Sequence, residues 1–292
     1  MSTEPSPPQR LRALLAEPGL HVMPCCFDAL SARLIERAGF RLTFMSGFAV
    51  SAARAGLPDT GLLSYGEMLD QGRSLCGAVS IPVIGDADTG YGNPMNVRRT
   101  VEGYARAGFA CAMIEDQLAP KRCGHTRGKQ VVDRDEALLR VRAAVDAREA
   151  GADVLVMART DARAVHGLDE ALWRARAFAD LGADLLFVEA PTSHQEMERV
   201  CAVGDVPHMA NMVEGGDTPV LPPAELEALG YRIAAYPLTL LSSAVRAMQD
   251  ALAALGQGET PKGLLPFAEL REVVGFDDYE REMARYAKED AE

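Results

Sequence analysis

The chain has 292 residues, of which 48% are hydrophobic and 25% are charged. This composition is typical of a globular protein, and the length fits either two small domains or one large α/β domain of the barrel kind. The formal net charge is −12. Nucleic acid and anionic membranes attract proteins largely through Lys and Arg, so this charge argues against both as partners.

The sequence shows no pattern of a membrane or secreted protein. Its apolar stretches are far shorter than the roughly 18 residues that indicate a transmembrane helix, and its first residues lack the basic and then apolar pattern of a signal peptide. We therefore expect a cytoplasmic protein with a flexible tail over residues 1–10. The six cysteines include no C-x-x-C pair, which argues against a zinc site or a disulfide framework.

Eight short apolar and β-branched runs alternate with helical patterns, and each predicts a strand. In chain order they are His21–Cys25, Leu42–Ser46, Val83–Asp86, Ala112–Glu115, Val154–Arg159, Leu185–Glu189, His208–Asn211 and Ile233–Tyr236. Alternation of strands with helices indicates parallel βαβ units. With neither a G-x-G-x-x-G nor a P-loop motif to favour a doubly wound sheet, we predict one (β/α)₈ TIM barrel over residues 11–255.

Glycines and capping residues predict where the helices begin and end. Asn93 with Pro94 predicts one helix start, and Ser193 with Glu196 predicts a capping box at another. After a loop at 256–262, two amphipathic helices over Leu264–Tyr286 predict a helical extension, 256–292, suited to packing or oligomer contacts. Glycines expected at left-handed helix ends before a strand are Gly39, Gly108, Gly151, Gly182 and Gly230.

Polar residues follow almost every predicted strand, at the end of the barrel where active sites lie. Asp86, Asp88 and Glu115 supply the hard carboxylate oxygens that Mg²⁺ prefers, and Mn²⁺ can substitute for it. The alternative is that Asp86 and Asp116 form structural ion pairs with basic neighbours such as Arg98 or Lys121. Arg159 could bind a substrate carboxylate with its bidentate guanidinium, or could brace Glu189 instead.

A basic loop follows the fourth predicted strand, from Lys121 to Lys129. It holds four cations, the imidazole of His125 and the thiol of Cys123. Positive surroundings favour a thiolate and lower the pKa of a thiol, so Cys123 is a candidate to exchange a proton near neutral pH. The alternative is a solvated loop in which the thiol is incidental. The other five cysteines lie in apolar patterns and are expected to pack in the core.

The order of these motifs resembles that of the isocitrate lyase / phosphoenolpyruvate mutase superfamily over about residues 20–250. The residues that carry the resemblance are Ser46-Gly47, Gly56-Leu-Pro-Asp59, Asp86-Ala-Asp-Thr-Gly-Tyr-Gly92, Ile114-Glu-Asp-Gln117, Lys121-Arg-Cys-Gly-His125, Ala158-Arg-Thr-Asp161, Val188-Glu-Ala190 and Ala210-Asn-Met-Val-Glu214. The resemblance implies a barrel whose last helix is exchanged between subunits, usually in a homotetramer. It also implies Mg²⁺ and a 2-hydroxy or 2-keto acid at the strand ends.

The resemblance also implies residue roles. Asp86 and Asp88 would be the metal carboxylates, with Asp59 and Glu115 in their shell, mostly through water. Cys123 would be the general acid, and Asp59, Lys121 and His125 would complete the catalytic set. Residues implied to bind substrate are Ser46, Gly47, Phe48, Gly124, Arg159, Glu189 and Asn211.

The Cys-Gly-His loop favours the lyase branch of that superfamily, which cleaves a carbon–carbon bond of a 2-hydroxy acid. Oxaloacetate hydrolases of the plant type and carboxyphosphonoenolpyruvate mutases also carry this loop, and a non-catalytic scaffold is a further alternative.

Two residues depart from the pattern of methylisocitrate lyases. Phe48 stands where those enzymes tend to have glycine, and Ser242 stands where they have an arginine; Arg246 comes one turn later. Without that arginine a third substrate carboxylate loses a partner, so we predict a dicarboxylate such as an alkylated malate or oxaloacetate.

Overall fold

The structure is a computed structural model that describes residues 4–123, 126 and 128–286. The predicted site residues Gly124 and His125 lie outside the described residues. The chain divides into two compact units, Met1–Leu241 and Ser242–Glu292. The first unit contains all eight strands.

The strands are all parallel and follow the order β6-β5-β4-β3-β2-β1-β8-β7. They are β1 His21–Cys26, β2 Thr43–Met45, β3 Val83–Asp86, β4 Cys111–Glu115, β5 Leu155–Thr160, β6 Leu185–Val188, β7 Met209–Asn211 and β8 Ile233–Tyr236. The two edge strands meet at a parallel bridge between Leu186 and His208, where Leu186 N donates to Pro207 O at 2.9 Å. The sheet is therefore a nearly closed barrel, which confirms the predicted fold.

Helices connect the strands. They are α1 Pro7–Ala16, α2 Ala29–Arg37, α3 Gly47–Val50, α4 Tyr65–Cys76, α5 Pro94–Ala107, α6 Arg134–Glu149, α7 Ala162–His166, α8 Leu168–Asp180, α9 His194–Cys201, α10 Pro223–Leu229, α11 Thr239–Gly256, α12 Phe267–Val274 and α13 Phe276–Tyr286, with a π-helical turn at Ser51–Ala55 after α3. None of the described helices is long and apolar enough to span a bilayer.

The barrel interior is one of two apolar cores, and the other lies between strands and helices. Inward side chains such as Met23, Ile84 and Met157 fill the interior, together with Leu11 and Leu14 of α1. Helix α1 covers the end where the strands begin: Leu14 O lies 2.9 Å from the Nε2 atom of His21 at the start of β1. The opposite end, where the strands finish, carries the predicted polar residues.

The helix ends show how local chemistry sets the boundaries. All five predicted glycines have left-handed backbone angles, with φ between 86° and 108°, as the sequence pattern predicts. Asn93 caps α5 through the backbone N–H groups of Met95 and Asn96.

The predicted capping box at α9 forms only in part. Ser193 Oγ accepts from Glu196 N at 3.2 Å. The Glu196 carboxylate instead accepts from Thr192 N at 2.8 Å and pairs with Arg163, so the reciprocal bond is replaced by these two partners.

The first helix and the division into units bear on the predicted organisation of the chain. Helix α1 begins at Pro7 with a Ser6 N-cap, so residues 7–10 of the expected tail are helical. The two compact units divide after Leu241, near the start of α11, and the division into a barrel domain over 11–255 and an extension over 256–292 stays a prediction. The second unit holds most of α11 and the two predicted C-terminal helices, and none of its described residues is buried.

Candidate active site

A cavity of about 220 Å³ opens where the strands end. One part of its wall is polar and holds eight predicted site residues, and the rest is largely apolar. The eight are Ser46, Asp59, Asp86, Lys121, Cys123, Arg159, Glu189 and Asn211, and the predicted residue Phe48 also lines the cavity. The topology therefore brings the ends of most strands to one pocket, as expected for the mouth of a parallel barrel.

Asp86 is fixed at the end of β3 by backbone donors. Gly47 N donates to its Oδ2 atom at 3.2 Å, and Asp88 N donates to its Oδ1 atom at 3.0 Å. A Cβ atom at Gly47 would collide with Oδ2 of Asp86, so only glycine allows this approach. Asp88 itself has a left-handed φ of 48°, a conformation that Asp tolerates better than most residues.

Lys121 forms ion pairs with two buried carboxylates. Its Nζ atom lies 2.5 Å from Oδ1 of Asp59 and 2.8 Å from Oδ1 of Asp88. All three side chains are less than 10% exposed. Asp88 does not line the cavity of Asp86 but a neighbouring one, of about 690 Å³, that shares Lys121.

Arg159 is held by three carboxylates. Its Nε and Nη2 atoms donate to Asp161 at 2.8 and 3.0 Å. Nη2 lies 3.1 Å from Oε2 of Glu189, and Nε lies 3.3 Å from Oε2 of Glu115. The brace to Glu189 that the sequence left as an alternative is therefore present, while substrate binding by Arg159 stays a prediction. Asn211 Nδ2 also donates to Glu189, at 3.2 and 3.3 Å.

The buried charges at the mouth are unbalanced. We call this group the mouth cluster; its six carboxylates and three cations are Asp59, Asp86, Asp88, Glu115, Asp161, Glu189, Lys121, Lys129 and Arg159, each less than 10% exposed. Burying charges without compensation costs several kcal/mol per ion. The excess of carboxylates therefore favours binding of a positive ion.

The pKa values follow from burial and this imbalance. Burial raises the pKa of Asp86 to about 6, and the charge of Asp88 adds to the shift while Lys121 opposes it. Burial also raises the pKa of Glu115 well above its ordinary value, although Arg159 acts against it. Asp86 and Glu115 are thus carboxyls that an added cation would help to ionise.

The pKa values of Asp59 and Lys121 also reflect a competition between burial and neighbouring charges. Burial raises the pKa of Asp59, with the charge of Lys121 opposing the shift. Burial disfavours the ammonium of Lys121, but the charges of Asp88, Asp86 and their neighbours outweigh it and raise the pKa of Lys121 well above its ordinary value. Lys121 is therefore a permanent cation at the mouth.

These residues fit a Mg²⁺ ion that keeps most of its water. Within the described part of the chain, no three His, Cys, Asp or Glu side chains are grouped to hold a metal directly. Mg²⁺ commonly uses only one or two carboxylates and keeps several waters, so Asp86 and Asp88 could suffice. Oε1 of Glu115 is buried and accepts no hydrogen bond from a described residue, which leaves it available to a metal-bound water.

Cys123 lies on the cavity wall and is half-buried. Its carbonyl oxygen accepts from Thr126 N at 2.9 Å and from Thr126 Oγ1 at 2.7 Å. Gln117 supports the preceding residue, because its side chain bonds both the N–H and the carbonyl of Arg122 at 2.9 Å. Cys123 therefore lines the same cavity as Arg159.

The other cysteines have structural positions, as expected, and so does His208. Cys26 and Cys111 are buried, and burial raises the pKa of Cys76 and of Cys201 to about 12. His208 Nε2 donates to Val203 O at 2.8 Å. Cys25 is buried like the others, but it also lines the cavity.

Sequence reasoning missed two groups at the site. The first is the apolar wall, made by Cys25, Phe44, Met113, Phe187, Met209, Val213, Ala235, Pro237 and Leu238. The second is a buried support beneath Arg159, where Arg174 Nη1 donates to Asp116 Oδ2 at 3.0 Å. Arg174 lies on the same buried face of α8 as Ala171, Ala175 and Phe178. A cation among apolar residues on one helix face was the sequence pattern that could have indicated a buried ion pair.

Comparison with known proteins identifies the family. The family model described as phosphoenolpyruvate phosphomutase matches residues 11–255. A 2,3-dimethylmalate lyase of Eubacterium barkeri is 42% identical over 282 residues, which cover 95% of this chain and 97% of that enzyme. The chain belongs to the phosphoenolpyruvate mutase/isocitrate lyase superfamily. The resemblance read from the motifs is thereby confirmed.

Other superfamily members that are similar to this chain have names that denote different reactions. A probable 2-methylisocitrate lyase of Corynebacterium glutamicum is 45% identical over 242 residues, 83% of this chain and 78% of that protein. An oxaloacetate acetylhydrolase in complex with 3,3-difluorooxalacetate superimposes with a TM-score of 0.92 at 38% identity, covering 97% of both chains. A phosphonopyruvate hydrolase in complex with oxalate and Mg²⁺ has a TM-score of 0.86 at 30% identity, covering 97% of this chain and all of that one.

Proposed function

We propose that the protein is a Mg²⁺-dependent carbon–carbon lyase that cleaves an alkylated malate into a 2-keto acid and a carboxylic acid. The observation that carries the proposal is the cavity itself, which combines a charged wall, an apolar wall and the thiol of Cys123. The similarity to a 2,3-dimethylmalate lyase over almost the whole chain supports the same reaction class.

The charged wall would hold the carboxylates and hydroxyl of the substrate. Asp86 and Asp88 would carry the ion, with Asp59 and Glu115 contacting its waters. When bound, Mg²⁺ supplies positive charge that stabilises negative charge on substrate oxygens. Arg159 would bind one carboxylate, because its guanidinium is fixed at the cavity by Asp161 and Glu189. The solved superfamily member with oxalate and Mg²⁺ supports a metal and a carboxylate ligand in such a site.

The apolar wall favours an alkylated malate over a substrate with more charge. Phe48, Phe187 and Leu238 line the cavity together with Met113 and Val213. A methyl group gains free energy against such side chains, about 0.8 kcal/mol for each buried CH₂. A third carboxylate placed there would lose its water without gaining a partner. Arg246, the nearest basic residue to Ser242 along the chain, is instead paired with Asp250 at 3.1 Å.

The reaction requires one proton to leave the substrate and one to return. Asp59, whose pKa is raised by burial, would accept the hydroxyl proton as the C2–C3 bond breaks and the C2 oxygen becomes a keto group. The bonding electron pair stays on C3 of the other fragment, next to its carboxylate. Cys123 would donate the proton that this carbanion needs, and Lys121 would keep the surroundings positive.

A comparison of three acids tests this proposal. With Mg²⁺ present, kcat/KM should be highest for 2,3-dimethylmalate, lower for 2-methylisocitrate, and lowest for oxaloacetate, which has a keto group where the proposed step needs a hydroxyl and lacks alkyl groups for the apolar wall. Phe48→Gly should reduce the preference for the methylated acid, while Leu139→Ala, an exposed position on α6, serves as the matched control and should not. Preference for the tricarboxylate would overturn the choice of substrate. Cleavage of oxaloacetate alone would instead establish the hydrolase alternative.

A further inference from the structure

Asp161 is a completely buried carboxylate with two basic partners. Its Oδ1 atom accepts from Nζ of Lys129 at 2.9 Å and from Nη2 of Arg159 at 3.0 Å, and its Oδ2 atom accepts from Nε of Arg159 at 2.8 Å. One carboxylate oxygen is thus shared between the arginine of the cavity and the last residue of the basic loop. Arg159 and Lys129 together lower the pKa of Asp161 although burial opposes them.

Asp161 is held from behind by a second buried group. Its own N–H donates to Oδ1 of Asp116 at 2.9 Å, and the hydroxyl of Thr160 donates to Oδ2 of Asp116 at 2.6 Å. Arg174 neutralises Asp116 from α8. These bonds fix the position of the Asp161 backbone without help from Lys129, so Lys129 is not required to keep Asp161 in place.

Lys129 stands where the segment that carries Cys123 rejoins the barrel. Leu118 N donates to Gln130 O at 2.8 Å, and Gln117 and Val131 form an antiparallel bridge. The side chain of Lys129 is only 3% exposed, although Gly128 and Gln130 on either side are exposed. The chain therefore buries one charged side chain at the loop base and attaches it to the carboxylate that orients Arg159.

We infer that Lys129 is a positioning residue that couples the loop of Cys123 to Arg159 through the shared oxygen of Asp161. This inference rests on the proposed function, in which Cys123 and Arg159 act on the same substrate. Without the ammonium, Oδ1 of Asp161 becomes fully available to Arg159 and draws its guanidinium away from the cavity. The end of the loop at Lys129 also loses its ion pair with Asp161, so Cys123 becomes more accessible.

The experiment compares Lys129→Met with Lys129→Arg, which keeps the charge, and with Arg148→Met as a matched control. Arg148 forms a partly buried ion pair with Asp184 just before β6, at the opposite end of the barrel. Two readouts do not require turnover. One is the rate at which iodoacetamide alkylates Cys123 in the metal-free protein, measured by peptide mass spectrometry. The other is the affinity for oxalate in the presence of Mg²⁺, measured by calorimetry.

The expected result is a joint change in both readouts. In Lys129→Met, iodoacetamide should alkylate Cys123 faster than in the wild-type protein. This variant should also bind oxalate about tenfold more weakly than the wild-type protein, as expected when a bond to a charged group is lost. Lys129→Arg should restore both values, and Arg148→Met should change only the melting temperature. Wild-type alkylation and oxalate affinity in Lys129→Met, or a change in only one of them, would overturn the coupling. Failure of the lyase proposal would appear differently, as absence of turnover by the wild-type protein with both readouts intact.

Discussion

Cys123 differs from the other five cysteines in its surroundings. It is half-buried on the cavity wall beside basic residues, whereas Cys25, Cys26 and Cys111 are buried among apolar side chains. In a buried apolar site the thiol is favoured over the thiolate. The position of Cys123 therefore suits proton transfer, and the positions of the others suit packing.

Cys123→Ser tests the assignment of the general acid. We expect kcat to fall by about 10² to 10⁴, the usual contribution of a general acid, because a serine hydroxyl is far less acidic. KM and Mg²⁺ affinity should change little, since the lost interaction belongs to the transition state. Cys201→Ser is the control and should keep wild-type kcat. A Cys123→Ser enzyme with wild-type kcat on its preferred substrate would remove Cys123 from this role.

The raised pKa of Asp86 predicts how metal binding depends on pH. A carboxyl must release its proton to bind a metal, and burial raises the pKa of Asp86 to about 6. The affinity for Mg²⁺ should therefore be constant above pH 7 and fall below about pH 6, by up to about tenfold per pH unit for one proton. Calorimetric titrations at pH 7.5, 6.5 and 5.5 measure this dependence. An affinity that does not change over this range would contradict the assignment of Asp86.

The same shift has a consequence for the metal-free protein. Because the folded pKa exceeds the unfolded value of about 3.9, the folded chain holds a proton that the unfolded chain releases between about pH 4 and pH 6. The contribution of Asp86 to the free energy of unfolding should therefore decrease as pH rises through this window. Asp86→Asn removes this contribution and should flatten the pH dependence measured in EDTA.

At the scale of elements, the sequence predicted those parts that depend on local pattern. Strands buried on both faces appear as apolar runs, and the ranges of β3 and β8 agree with the predicted ones to the residue. Left-handed glycines mark helix ends because few other residues adopt that backbone conformation. Most polar strand ends meet at one cavity, because parallel strands of a barrel end on the same side.

Contacts that depend on closure of the whole barrel could not be read from the sequence. Lys129 and Asp161 are 32 residues apart, and Arg174 and Asp116 are 58 residues apart. Their pairing requires the packing of α8 and the loop base against neighbouring strands. The apolar wall was missed for a related reason, since Phe44 and Phe187 look like ordinary core residues until the cavity above them is known.

Strand β3, which carries Asp86, is tightly packed at Gly85. A Cβ atom at Gly85 of β3 would lie 2.7 Å from ring carbons of both Phe109 and Tyr104, whose rings stack at 4.5 Å. Gly85→Ala should lower the free energy of unfolding by about 1–3 kcal/mol, the usual cost of overpacking, and should reduce activity because Tyr104 also donates to Asp86 O at 2.7 Å.

Chemical denaturation measures the effect, with Gly66→Ala as the control. Gly66 lies in α4, and an added Cβ would lie 3.9 Å from Oγ of Ser64, an ordinary van der Waals distance. Because Ala favours the helix over Gly, this variant should be unchanged or more stable by up to about 1 kcal/mol. Equal stability of Gly85→Ala and the wild-type protein would show that the rings of Phe109 and Tyr104 can move to accommodate the added methyl group.

At the scale of the whole molecule, the second unit exposes many apolar side chains. Examples are Leu252, 68% exposed, Phe267, 76% exposed, and Tyr279, 65% exposed. Apolar patches of this kind commonly mark protein contacts. Together with the exchanged helix that the superfamily resemblance implies, they support a homotetramer, which remains a proposal.

Light scattering tests the assembly. A tetramer should have about four times the monomer mass of 31.3 kDa. The double variant Leu252→Glu with Phe267→Glu should dissociate it, because buried unpaired charges at a contact are costly. Gln257→Glu, a charge added in the exposed loop after α11, should leave the mass unchanged. A wild-type monomer at micromolar concentration would contradict the proposal.

The proposed activity is metal-dependent cleavage of the bond between C2 and C3 of an alkylated malate. Proton NMR of 2,3-dimethylmalate incubated with the protein and Mg²⁺ measures both products at once. We expect equal amounts of pyruvate and propionate, no product in excess EDTA, and recovery when Mg²⁺ is restored. Cleavage at an unchanged rate in EDTA, or no cleavage of the acid by Mg²⁺-loaded wild-type protein, would contradict it.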